Sequence, residues 1–89
     1  MAEIRTFRSG VYKQWYEGLT NKDKRIVDSR VDTARRYGVL NKYKLLDKDF
    51  SLFEFKWDSG LRVYFSLLKD KEGNFMLLLT GGNKNSQPQ

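Results

Sequence analysis

The chain contains no cysteine and no histidine. The first absence rules out disulfides and thiolate-bound zinc. The second removes the usual general base at neutral pH and the usual metal ligand. Any catalysis must therefore use Lys, Arg, Tyr, Asp or Glu, or a reactive group on the substrate. Long apolar runs are missing as well. The longest is Phe75 to Leu79, far short of the ~20 residues that span a bilayer. Met1 to Arg5 has no apolar signal core, so the sequence reads as soluble and cytoplasmic, with no membrane partner. It has no P-loop, no nucleophile elbow and no metal-ligand cluster, so no cofactor or metal is expected.

What is present is charge and aromatic bulk. Net charge is +6 over 89 residues. Residues 1–46 hold 11 Lys/Arg against 5 Asp/Glu, whereas residues 47–89 hold 6 of each. The excess lies in the first half. A basic small domain points to an anionic partner, most often nucleic acid. A chain this short buries only about 60–65% of its unfolded surface. Its 13 Phe, Tyr and Trp residues supply large apolar area per position.

Periodicity gives the element order. Ile4 to Phe7 suggests a short strand. Ser9 can cap a helix over Val11 to Glu17, with Val11, Trp15 and Leu19 at four-residue spacing. Thr20, with Asp23 three residues on, opens a second helix to about Tyr37 with Ile26, Val27, Val31, Ala34 and Tyr37 inward. The period then falls to two. Phe53, Phe55 and Trp57 alternate with Leu52, Glu54 and Lys56. Asp58-Ser59-Gly60 turns into a strand over Leu61 to Leu68, and a looser turn leads to a strand over Phe75 to Thr80. Short links favour an antiparallel meander. The expected fold class is α+β: two N-terminal helices packed on an antiparallel meander sheet in the order β-α-α-β-β-β, with an optional short strand at Tyr43–Leu46. One domain is expected over residues 1–82, followed by a polar, mobile tail over 83–89.

Several constellations could carry chemistry. In a meander the start of one strand lies beside the end of the next, so Arg62 and Lys84 can approach each other, with Lys56 near the same turn. Three cations there could bind a phosphodiester and stabilise charge at phosphorus. Arg62 could instead pair with Asp58 or Glu54. Gly81-Gly82 could face an anion with backbone N–H groups or form a simple turn. Lys22, Lys24, Arg25, Arg30, Arg35 and Arg36 could track phosphates, or form a solvated helix face partly paired with Asp28 and Asp32. Trp15, Trp57 and the Phe residues fit core packing, whereas Tyr64 and Tyr43 can bring phenol tips to the surface.

Three segments together, Phe53-Glu54-Phe55-Lys56, Gly60-Leu61-Arg62-Val63-Tyr64-Phe65 and Leu77 to Gln87, resemble the RelE/ParE toxin superfamily. The likeness is nearest its HigB-like branch of addiction-module killer proteins. The resemblance implies a RelE-like fold and a toxin of a type II toxin–antitoxin pair, commonly one that cuts mRNA on the ribosome. By position, Lys56, Arg62 and Lys84 would be catalytic, binding phosphate and stabilising the transition state. Lys44, Tyr64, Asn83, Arg35 and Arg36 would contact nucleic acid. The nucleophile would be the 2′-hydroxyl beside the scissile phosphate, which needs no histidine. Implied partners are a cognate antitoxin, mRNA and the ribosome. ParE-like members share the fold and poison DNA gyrase, and an inactive interaction domain is a third reading. The sequence departs from the family in two places. Glu54 stands where some ribosome-dependent members place a lysine, and relatives continue into a C-terminal helix beyond the position of Gln89.

Overall fold

Ser9 begins the first helix as its residue type requires. Its hydroxyl accepts from the Tyr12 N–H at 3.0 Å, which satisfies one of the orphan donors of a helix start. The structure, a computed structural model, describes residues 3–38 and 43–84. Strand β1 (Arg5–Arg8) leads into helix α1 (Gly10–Glu17), and helix α2 (Asn21–Tyr37) follows. Thr20 caps α2 by accepting from the Asp23 N–H at 3.1 Å. Four strands complete the fold: β2 (Tyr43–Asp47), β3 (Leu52–Lys56), β4 (Leu61–Asp70) and β5 (Gly73–Asn83).

The strands form one sheet in the order β1-β5-β4-β3-β2. β2 through β5 are the expected antiparallel meander, and the optional strand at Tyr43 is present. The sheet as a whole is mixed, because β1 joins β5 in parallel, with Arg5 opposite Phe75 and Arg8 opposite Leu78. The two helices make the parallel crossover between β1 and the meander possible. Arg5 ties this edge down. It donates to Asp70, Glu72 and the Gly73 carbonyl.

One face of the sheet takes the helices. Phe55, Leu61, Val63, Phe65, Met76 and Leu78 are fully buried against Tyr12, Val27 and Ala34. The rings of Phe55 and Phe65 stack with centroids 4.3 Å apart. Burial of each such side chain contributes about 1.5–3 kcal/mol. Alternation along β3 and β4 then sends Glu54, Lys56, Arg62 and Tyr64 to the other face.

β5 departs from the expectation in two ways. It runs through Gly81-Gly82 to Asn83 instead of stopping at Thr80. The double glycine is therefore strand, not turn, and Asn83 belongs to the sheet rather than to a tail. Lys84 follows directly, and the remainder of the expected tail, residues 85–89, lies outside the described residues. β5 also carries a bulge. Tyr64 faces Thr80 while Phe65 faces Leu78, so Leu79 is the extra residue. Its carbonyl accepts from the Ser9 hydroxyl at 2.6 Å, and the Leu78 carbonyl accepts from the Ser9 N–H at 2.9 Å. The bulge thus fastens the start of α1 to β5.

Candidate functional site

Register builds the site. Lys56 stands opposite Arg62 across β3 and β4, and Arg62 stands opposite Gly82 across β4 and β5. The β3–β4 hairpin is closed by Gly60 at φ 101, a backbone state open to glycine and costly for other residues. The Gly60 carbonyl accepts from the Lys84 N–H at 2.8 Å. That bond sets Lys84 beside the hairpin turn. A second row lies one step along the same face, with Lys44 opposite Glu54, Glu54 opposite Tyr64 and Tyr64 opposite Thr80.

The first row opens on a cleft of about 680 Å³ whose walls include Lys44, Lys56, Arg62 and Lys84. Among the described residues Asp58 is the one carboxylate lining it. Among these residues the lining therefore carries an excess of positive charge. Tyr43 and Trp57 supply apolar wall. The two glycines of β5 divide their work. A Cβ on Gly81 would meet the Trp15 indole, whereas one on Gly82 would meet nothing within 4 Å. Gly81 admits a helix residue on the packed face. Gly82 leaves open space beside Arg62.

Arg62 has a carboxylate neighbour, and it is Glu54, not Asp58. Arg62 Nε lies 3.9 Å from Glu54 Oε2, with side-chain exposures of 17% and 11%. That distance is an ion pair but exceeds hydrogen-bond reach, so Glu54 offsets the Arg62 charge without a close hydrogen bond. Glu54 also engages Tyr64. Burial pushes the Tyr64 phenol up from its usual value, and the Glu54 charge and a side-chain hydrogen bond to it push the same way, against Arg62. Tyr64 is therefore a neutral donor at neutral pH.

The sequence-derived residues fall into two groups. Lys44, Lys56, Arg62 and Lys84 meet at the cleft, and Tyr64 adjoins it in the second row. Asn83 pairs with Leu61 and by register shares the packed face with it. Arg35 and Arg36 lie at the far end of α2. Arg35 is held by Glu3 and Asp32, and Arg36 by Asp32 at 3.2 Å. The structure does not bring these three to the cleft. Trp57 was legible only as the third member of a core alternation, and its place in the cleft wall follows from its position at the strand's end. No cluster of three or more acidic residues able to hold a metal occurs among the described residues. No helix among them is long and apolar enough to cross a membrane.

No family model matches the chain, and no curated protein matches it either. Solved structures do. The chain is similar to one in the RelBE2 toxin–antitoxin complex of Mycobacterium tuberculosis, with a TM-score of 0.69 and 15% identity over 93% of each chain. It is also similar to a conserved hypothetical protein of Helicobacter pylori known from its solution structure. There the TM-score is 0.57 and the identity 13%, over 92% of this chain and 96% of that one. Neither neighbour speaks to the HigB-like branch. With two helices on one face of a five-stranded mixed sheet, and with these neighbours, the chain has the RelE-like fold.

Proposed function

We propose that the protein is the toxin of a type II toxin–antitoxin system, of the HigB-like kind, and that it cleaves mRNA on the ribosome in the cytoplasm and so inhibits translation. The observation that supports this most is the cation row: Lys56, Arg62 and Lys84 are held together by strand pairing and by the Gly60–Lys84 bond. In this reading Arg62 and Lys84 grip the scissile phosphate and stabilise the charge that grows on it, with Lys56 beside them. The 2′-oxygen bonds to phosphorus and the 5′-oxygen leaves, giving a cyclic phosphate. The 2′-proton passes to Glu54, the carboxylate that neighbours Arg62, and the 5′-oxygen takes a proton from an ammonium of the cleft. Lys44 and Tyr64 contact the flanking nucleotides. Neither metal nor histidine is required.

The Mycobacterium tuberculosis neighbour was solved as a toxin–antitoxin complex, and a cognate antitoxin is the partner we assign here. A cation row of this kind suits an acidic antitoxin segment as well as RNA. The test is cleavage of a message by purified protein with ribosomes, wild type against Arg62→Ala with Lys84→Ala. Removing such donors costs about 10²–10³-fold each, so the double variant should leave the message intact. An intact message with wild-type protein overturns the reading. If that result comes with DNA-damage signalling on expression, the gyrase-poison alternative replaces it. Unimpaired growth favours the inactive interaction domain.

A further inference from the structure

The chain's positive charge lies in its first half, yet the cleft draws three of its four cations from the second. Helix α2 accounts for much of the rest, and its two halves differ. At its C-terminal end Arg35 and Arg36 are neutralised by Glu3 and Asp32. At its N-terminal end a groove of about 440 Å³ is lined by Lys22, Arg25, Ile26, Ser29, Arg30 and Trp57. Among the described residues its wall has three cations and no carboxylate. Lys22 and Arg25 are exposed and enter no ion pair with the described residues. Lys22 in the first turn also opposes the helix dipole, an arrangement that costs helix stability by tenths of a kcal/mol.

The groove is joined to the cleft. Trp57 lines both. The Arg30 guanidinium lies 4.4 Å from the Trp57 ring centroid, and its Nη1 donates to the Lys56 carbonyl at 3.2 Å. The first half of α2 is thereby bolted to the strand end that carries Lys56. A polyanion leaving the cleft across Trp57 meets Arg30, then Arg25 and Lys22. A planar guanidinium beside an indole also offers a stacking platform for a base.

We infer that Lys22, Arg25, Arg30 and Trp57 form a second subsite that holds the single-stranded RNA beyond the cleavage cleft. This rests on the reading of the cleft as an RNA site, and it assigns the RNA track to the opposite end of α2 from Arg35 and Arg36. Continuity with the cleft and the stacked aromatic select RNA over an acidic protein surface.

The experiment compares two 2′-O-methyl RNAs, which bind without being cut: one of about three nucleotides, which fits the cleft, and one of about ten, which reaches past it. Lys22→Gln with Arg25→Gln keeps good helix formers on an exposed face, and an unchanged melting temperature confirms folding. The double variant should bind the long RNA about tenfold more weakly at 0.1 M salt, with a log–log salt slope shallower by about 1.4, while the short RNA is unaffected. Unchanged affinity for the long RNA, or equal losses on both lengths, overturns the proposal. So does a loss seen only against a polyglutamate peptide, which marks an acidic-protein surface. Arg62→Ala with Lys84→Ala should weaken both lengths. If it weakens neither, the cleft reading fails, and the length dependence in the α2 variant still judges the groove.

Discussion

Gly81 lies directly beneath the indole of Trp15: a Cβ built on it would fall 2.4 Å from three ring atoms. The glycine is what lets α1 sit on β5. Gly81→Ala forces the half-buried indole away from Tyr12, whose ring centroid is 5.5 Å distant, and should destabilise the fold by about 1–3 kcal/mol. Gly82→Ala, one residue on, projects into open space and should stay within about 0.5 kcal/mol of wild type. Urea midpoints of the two variants check the contrast. Equal midpoints would show that Trp15 yields freely.

The Glu54–Tyr64 contact makes a two-signed prediction. The Tyr64 phenol is raised by burial first, then by Glu54, and Arg62 opposes both. Glu54→Gln removes the neighbouring charge, so the Tyr64 pKa should fall toward the usual tyrosine value while burial keeps it above. Arg62→Ala removes the opposing charge, so the pKa should rise further. Ring-carbon shifts of Tyr64 followed by NMR against pH give both directions. Movement in the same direction in both variants would show that Glu54 and Arg62 do not act on this phenol with opposite signs.

Acid should loosen β1. Arg5 holds the Asp70 carboxyl below the usual carboxylate range, chiefly through their hydrogen bond. A depressed folded-state pKa means that the stabilisation is present above the unfolded value of 3.8 and is lost as pH falls through the folded one. Asp70→Asn lacks this contribution at every pH. The gap in stability between wild type and Asp70→Asn should therefore be full at neutral pH and close on acidification below about 3.8. Amide exchange at Thr6 and Phe7 should be faster in the variant at neutral pH. A gap that does not change with pH would contradict the assignment.

Most of the fold was legible because local rules agreed. Ser9 and Thr20 cap helices where the apolar spacing starts, although Tyr37 at the end of that spacing is exposed, and the period of two survives as β3 over Leu52–Lys56. The meeting of Arg62, Lys84 and Lys56 was legible as well, because in a meander it follows from strand order. The rest depended on contacts between distant elements. Nothing local marks Arg5–Arg8 as the parallel partner of β5. Arg35 and Arg36 looked like a basic face, because Glu3, thirty-two residues from Arg35, is invisible to a helix-by-helix reading. Arg30 over Trp57 was hidden for the same reason. Leu79 concealed the most: Met76 and Leu78 face inward at even positions, and the bulge hands that role to the odd-numbered Gly81. A period count across Phe75–Thr80 cannot register that change.

That bulge has a consequence for how the strand can vary. Upstream, Ser9 grips the carbonyls of Leu78 and Leu79. Downstream, the Gly60 carbonyl holds the Lys84 N–H. The stretch between is a ruler clamped at both ends, with helix-facing Gly81 and cleft-facing Gly82 as adjacent marks. Substitutions at Thr80 or Asn83 leave the ruler its length. Inserting or deleting one residue between Thr80 and Asn83 exchanges the two faces, closing the space under Trp15 and turning Lys84 from the cleft. Between those clamps the number of residues, more than their chemistry, decides which side of the sheet the lysine reaches.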